Sequence, residues 1–279
     1  MTNLELFRHR HPVGFCIAAA VLSMIFVLGS GVVISALCVF VPLPHDYYVL
    51  AFLQEGLATV LIGLLLREAG CGRVLLQKGC GLWRGLAVGL YPLILIGFAT
   101  VSMLAQSLGA GAALAAPVRI VAFVGTMVLI GLAEEMAFRG LIATTLLEYF
   151  GTGRVGVWKA VTLSGLLFGL AHMTNLFGAQ PLGVLVQVAV TTVLGMLFAA
   201  IYYRTGNLWV VIFLHTAMDF ASLCQDGLFA GSAADQGVEQ LISGYTLINL
   251  APVITYGIPL AFLLRRKKMA EIKALWTKN

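Results

Sequence analysis

Charge is what this sequence has least of. Only 10% of its 279 residues are Asp, Glu, Lys or Arg, against roughly a quarter in ordinary soluble domains. A water-soluble domain of this length needs far more polar residues to cover its core, so a soluble globular fold is excluded. Cysteine is sparse and unpatterned. Cys16, Cys38, Cys71, Cys80 and Cys224 are odd in number, widely spaced and free of any CxxC pair. That excludes a disulfide framework and a zinc knuckle, and leaves reduced packing residues. The chain also lacks an HExxH motif, an internal repeat, a low-complexity tract and a linker. The expectation is one transmembrane domain over residues 1–279.

What the sequence has in abundance is apolar length. Residues of the apolar class make up 60% of it, in runs that reach the roughly 20 residues a helix needs to cross a bilayer. The net charge of +5 does not indicate a nucleic-acid partner. Its basic residues flank the apolar runs and form no aromatic-interleaved patch. Positive charge placed beside membrane segments is explained by topology and by anionic lipid.

The basic start Arg8-His9-Arg10-His11-Pro12 leads into an apolar stretch reaching Val41, far longer than the about 7–15 residues of a signal-peptide core. It reads as a retained first helix. Seven more are expected at Tyr47–Leu66, Gly85–Leu108, Pro117–Leu147, Gly156–Met173, Leu182–Tyr203, Leu208–Leu223 and Thr246–Leu264. With eight spans every basic cluster falls on one face: Arg8 and Arg10; Arg67, Arg73, Lys78 and Arg84; Arg154 and Lys159; Arg204; and Arg265 through Lys268. The other face receives His45 and Asp46, the Gly109–Ala116 stretch, the turn near Asn175–Pro181, and Asp226, Asp235 and Glu239. A count of seven or nine scatters the basic clusters. The fold expected is therefore all-α and polytopic, about eight transmembrane helices around an intramembrane polar cavity, with both termini cytoplasmic. The one long external loop, Gln225–Tyr245, reads as a tether rather than a lid.

Ionisable residues inside such helices are expensive and face a cavity or a partner. Glu134, Glu135 and Arg139 lie in the fourth expected helix, His172 in the fifth, His215 and Asp219 in the seventh. Glu135 and Arg139 are i,i+4 with the acid N-terminal, the orientation in which they pair. Glu134 is turned about 100° away and lacks that partner, so it is the candidate general base and Glu135 the structural acid. Asp219, i,i+4 to His215, is placed to orient that imidazole. Gln54, Glu55 and the Gln187/Thr191/Thr192 group read as hydrogen-bonding glue between helices. At about 1.5 Å per residue from the cytoplasmic helix ends, Glu134 comes out on the order of 15–20 Å deep, His215 about 10–12 Å, Asp219 about 17 Å and His172 about 20–25 Å. These depths overlap enough for one cavity, expected to open toward the cytoplasm.

Three short patterns carry a resemblance. Glu134-Glu135-Met136-Ala137-Phe138-Arg139 reads EExxxR, Phe168-Gly169-Leu170-Ala171-His172 reads FxxxH, and His215-Thr216-Ala217-Met218-Asp219 reads HxxxD. In this order, each on its own helix, they resemble the type II CAAX prenyl endopeptidase and bacteriocin-processing (Abi-like) intramembrane protein family, over roughly Ile120–Leu223. The motif-bearing core is then about residues 117–223. The resemblance implies an intramembrane glutamate-dependent endopeptidase in which Glu134, helped by His172, activates a water. It implies that His215 and Asp219 stabilise the oxyanion or hold the site together, with Glu135, Arg139 and Phe168 in support. The prenyl-processing branch has Asn where Asp219 stands, and an acid donates no hydrogen bond unless protonated. Orienting His215 is therefore the role expected of Asp219.

The expected substrate is a peptide or protein, with lipid modification of it left open; membrane lipids are the other partner, and oligomeric state is undetermined. No cofactor is required by this chemistry, although the His215/Asp219 pair would also suit zinc. Two other functions stay open. The same family includes non-proteolytic immunity and sensor-kinase-modulating proteins. A proton-relay transporter would use the same buried groups but should show repeated halves and Gly/Pro-broken helices.

Overall fold

A computed structural model of the chain describes residues 1–41, 43–230 and 237–277. A short helix α1 (Asn3–Arg10) precedes α2 (Pro12–Phe40). Pro12 breaks the two apart, since it can open a helix but has no N–H with which to continue one. α3 (Tyr47–Glu68) starts at Asp46, whose carboxylate accepts from the amides of Tyr48 and Val49 at 3.0 and 3.2 Å. A 3-10 turn (Gly72–Leu75), α4 (Leu82–Val88) and α5 (Leu90–Gly109) follow, and then α6 (Pro117–Glu135). A π-helical segment, Met136–Ala143, joins α6 to α7 (Thr144–Phe150). α8 (Arg154–Ala171) ends in a 3-10 stretch, His172–Phe177. The chain finishes with α9 (Pro181–Thr205), α10 (Leu208–Leu228), α11 (Gly237–Ser243), α12 (Ala251–Leu263) and α13 (Arg266–Trp276).

Among the described residues seven spans are long and apolar enough to cross a bilayer, or eight if the bent pair Leu247–Leu263 and Arg266–Trp276 is one broken span. The protein is all-α and polytopic, as expected. Its helices sort into two layers. Only 22% of the most apolar window of α2 and of α3, and 17% of that of α5, is buried inside the protein, against 50% for both the α6–α7 span and α9. The outer helices turn residues such as Val32, Phe98 and Val101 outward, where lipid rather than water receives them. The inner layer is α6–α7, α8, α9 and α10, with α8 packed along α9, and α6 between α10 and α3.

Small residues set the two crossings that matter. A Cβ added to Gly169 of α8 would stand 2.7 Å from the Val188 carbonyl oxygen of α9, and one added to Gly131 of α6 would stand 3.0 Å from the Thr216 amide nitrogen of α10. Backbones this close leave no room for a larger residue.

Several expected boundaries change. The span expected at Pro117–Leu147 is not one continuous α-helix. Its π segment begins directly after Glu135, and the Arg139 carbonyl accepts both the Thr144 amide and, at 2.9 Å, the Thr144 hydroxyl. The span expected at Gly85–Leu108 is interrupted at Gly89, and Thr246–Leu264 is a 3-10 turn followed by the 13-residue α12. Pro252 opens α12, and Pro259 removes a bond from its ladder. In the Gln225–Tyr245 loop, α10 runs on to Leu228 and α11 fills Gly237–Ser243. Asp235 and the side chain of Glu239 lie outside the described residues.

The loops gather at two ends. At the end holding both termini, the Thr2 hydroxyl donates to the Glu68 carbonyl, Arg8 pairs with Glu148 at 2.6 Å, Arg204 pairs with Glu271 at 2.7 Å, and the Trp276 indole donates to the Tyr203 carbonyl at 2.9 Å. At the far end, Arg119 pairs with Asp46 at 3.1 Å, the Tyr48 hydroxyl donates to Asp226 at 2.5 Å, and the Ala115 amide donates to Leu228 at 2.8 Å.

Candidate active site

The last turn of α6, the end of α8 and the middle of α10 meet around one cavity of about 460 Å³. Glu134, His172, His215 and Asp219 all line it, and Phe168 and Phe138 form part of its wall. The four side chains singled out from the sequence therefore share one space.

Their environments differ sharply. Glu135 and Arg139 are fully buried and joined at 2.8 Å, the i,i+4 pair read from the sequence. Arg139 also donates to the Gly195 carbonyl at 3.2 Å, and its guanidinium lies 4.5 Å from the Phe168 ring centre and 5.4 Å from that of Phe198. Such stacking suits a planar, weakly hydrated cation. The same Glu135 oxygen that holds Arg139 also meets Nδ1 of His215 at 2.7 Å. A carboxylate accepts, so this nitrogen carries the proton. The imidazole of His215 is further fixed by the rings of Phe168 and Phe198 at 5.8 and 5.6 Å.

The opposite nitrogen, Nε2 of His215, looks into the cavity. It stands 3.6 Å from an oxygen of Glu134 and 3.6 Å from one of Asp219. Both of these acids are 26% exposed, whereas Glu135 is 0% exposed. The expectation that Asp219 orients His215 is thus modified. Glu135 makes the short bond that fixes the ring, and Asp219 faces the nitrogen left open to the cavity.

His172 sits one residue past the end of α8, where the expected helix would have continued to Met173. Its Nδ1 bonds the Phe168 carbonyl at 2.9 Å, and its ring packs on Phe168 at 5.1 Å. A carbonyl only accepts, so Nδ1 donates, and in the neutral ring Nε2 keeps the lone pair. Phe168 therefore organises both histidines and the arginine.

Sequence reasoning missed part of this wall. Glu55 of α3, together with Gln187 and Thr191 of α9, lines the same cavity, where they were expected to be glue between helices. Gln187 does bond across to Asn175, which donates to it at 2.8 Å. The signal for Glu55 was present, since a carboxylate within a span is by default a functional candidate. The cavity also reaches one end of the bundle. Its rim carries Asn175, Tyr245 and Asn249, at the end away from the termini. Toward the termini it is closed by Leu141, Leu146, Phe198, Tyr202 and Leu214, all 0–1% exposed.

Among the described residues no group of three or more His, Cys, Asp or Glu side chains is arranged to hold a metal ion.

Neither a curated protein nor a solved structure matches the chain. Residues 116–221, from the start of α6 to the middle of α10, match the family model described as Type II CAAX prenyl endopeptidase Rce1-like. This is the stretch that holds every motif residue of the cavity, and over it the chain is similar to the Rce1-like, CAAX-type protease family.

Proposed function

We propose that the protein is an intramembrane endopeptidase that hydrolyses a peptide bond with a water held between Glu134 and His172. One observation carries the reading. Of two adjacent glutamates, Glu135 is sealed in an ion pair, while Glu134 reaches the cavity beside an imidazole nitrogen fixed from behind.

Each residue has a task in this scheme. Glu134 takes a proton from the water, while the lone pair of His172 Nε2 accepts its second hydrogen and aims the oxygen. The oxygen adds to the peptide carbonyl, and the C=O electron pair moves onto its oxygen. His215, carrying a proton on each ring nitrogen between Glu135 and Asp219, donates its Nε2–H to that oxyanion, and Asp219 supports that proton. Glu134 then returns its proton to the departing nitrogen as the C–N bond breaks, leaving a carboxyl and an amine. A positioned general base contributes about 10²–10⁴-fold and an oxyanion donor about 10²–10³-fold. The substrate is a peptide or protein, and membrane lipid surrounds the spans.

The test compares membranes carrying the wild-type protein with membranes carrying Glu134→Gln. The expected outcome is one uncut precursor accumulating in the variant while the protein stays folded. If the variant leaves the membrane proteome and the host phenotype unchanged, the protein acts as a non-proteolytic partner and the peptidase reading fails.

A further inference from the structure

The cavity has a direction, and so does the charge. From its floor at Phe138, Glu134 and His215 it runs past Thr191 and Ser222 to a rim at Asn175 and Asn249. The rim lies where α8 leads into α9 and where the chain enters α12. Both connections belong to the end away from the termini. Below the floor, the π segment and the terminal halves of α9 and α10 pack without a gap; Leu141, Ile142, Ala143, Ile201 and Val211 are all 0% exposed.

Lysine and arginine lie almost wholly at the terminal end. Among the described residues Arg139 is inside the bundle and Arg119 is the one Lys or Arg at the far end, where Asp46 holds it. The remainder sit on or beside α1, the α3–α4 and α7–α8 connections, the C-terminal end of α9, and α13. Loops rich in Lys and Arg stay in the cytoplasm, so the rim is on the opposite, outer face.

We infer that substrate reaches Glu134 from the outer face of the membrane, which makes the substrate class a peptide or protein segment exposed outside the cytoplasm, not a cytosolic protein tail. The chemistry of the passage agrees. Asn175, Gln187, Thr191, Ser222 and Asn249 offer hydrogen-bonding groups along it, between apolar walls from Met24 and Tyr256. An extended peptide brings one donor and one acceptor per residue into such a passage. The substrate class rests on the peptidase reading above; the direction of access does not.

The experiment reads sidedness by labelling the full-length protein in its membrane. In a parent with Cys38→Ser and Cys80→Ser, the buried Cys16, Cys71 and Cys224 stay in place. Thr191→Cys in the cavity, Ser222→Cys nearer the rim and Lys267→Cys at the terminal end are each exposed to a small membrane-impermeant thiol reagent, in intact spheroplasts and in inverted vesicles. Thr191→Cys and Ser222→Cys are expected to be labelled in spheroplasts, and Lys267→Cys only in inverted vesicles. Having two cavity positions keeps the test decisive if one variant fails to fold. Labelling of the folded cavity variants from the Lys267 side, or from neither side, overturns the inference, as does labelling of Lys267→Cys in spheroplasts. The same pattern in Glu134→Gln separates the two claims. If labelling holds but that variant accumulates no precursor, the peptidase reading falls and the access route stands.

Discussion

At the scale of single residues, two adjacent acids have been given opposite work. Glu135 is locked between Arg139 and His215, and Glu134 faces the cavity. Removing one member of a fully buried pair leaves the other uncompensated, at a cost of about 3–5 kcal/mol. Glu135→Ala and Arg139→Ala are therefore expected to lower the thermal unfolding midpoint clearly in detergent. Glu134→Gln is expected to leave the midpoint nearly unchanged while abolishing turnover. A midpoint that falls as far for Glu134→Gln would give both acids the same structural role. Asp219→Asn is expected to remain within about tenfold of wild-type turnover, because the amide oxygen can still accept from the His215 Nε2–H, whereas Asp219→Leu should lose it. The i,i+4 spacing made the Glu135–Arg139 pair legible in advance. The bond from Glu135 to His215 was not legible, because the two residues lie 80 positions apart. Their meeting depends on how two helices are rotated and how closely they cross.

Elements place those residues, and here the glycines decide. The α8–α9 contact at Gly169 brings Phe168 against Arg139 and His215, and sets His172 at the end of its helix. Overpacking a tight contact costs about 1–3 kcal/mol, so Gly169→Val should reduce both the unfolding midpoint and turnover. Gly29, with open space around its Cβ position, provides the control, and Gly29→Ala should change neither. A Gly169→Val protein with wild-type activity would show that the crossing does not position His172. The apolar runs announced the spans themselves. They said nothing of the π segment after Glu135, because the widened turn is held by tertiary contacts such as the Thr144–Tyr202 hydroxyl pair at 3.2 Å. Nor did they announce the bend before α13, which follows the extended backbone at Arg265 and the Arg204–Glu271 pair.

For the whole molecule, the tight packing toward the terminal end and the cavity wall at the far end give the inferred route of access its direction. Cys71, in the connection between α3 and α4, reports on the seal: burial pushes its thiol up to about 11. A raised thiol value means the protonated form dominates at neutral pH and the reactive thiolate is scarce. Cys71 is therefore expected to stay unmodified by iodoacetamide in the folded protein at pH 7, and to react on unfolding, as mass spectrometry would show. Rapid reaction in the folded state would mean that the terminal end is open. Glu55, contributed by the outer helix α3, makes the cavity wall a product of both layers. Glu55→Gln is expected to alter turnover or substrate choice without lowering the unfolding midpoint, and an unchanged enzyme would return Glu55 to the role of glue.

The sequence by itself determined the solvent and the inventory. Too few charges to cover a core in water, apolar runs of bilayer length, and a short set of acids and imidazoles within them are properties of composition and local spacing. They survive any arrangement of the helices. Which wall each polar group joins, which acid fixes His215, and at which end the cavity opens were decided only by the tertiary structure. Those facts depend on the rotation and crossing of helices far apart in the chain, and a helix's own period fixes the angles between its side chains but not the direction in which the set points.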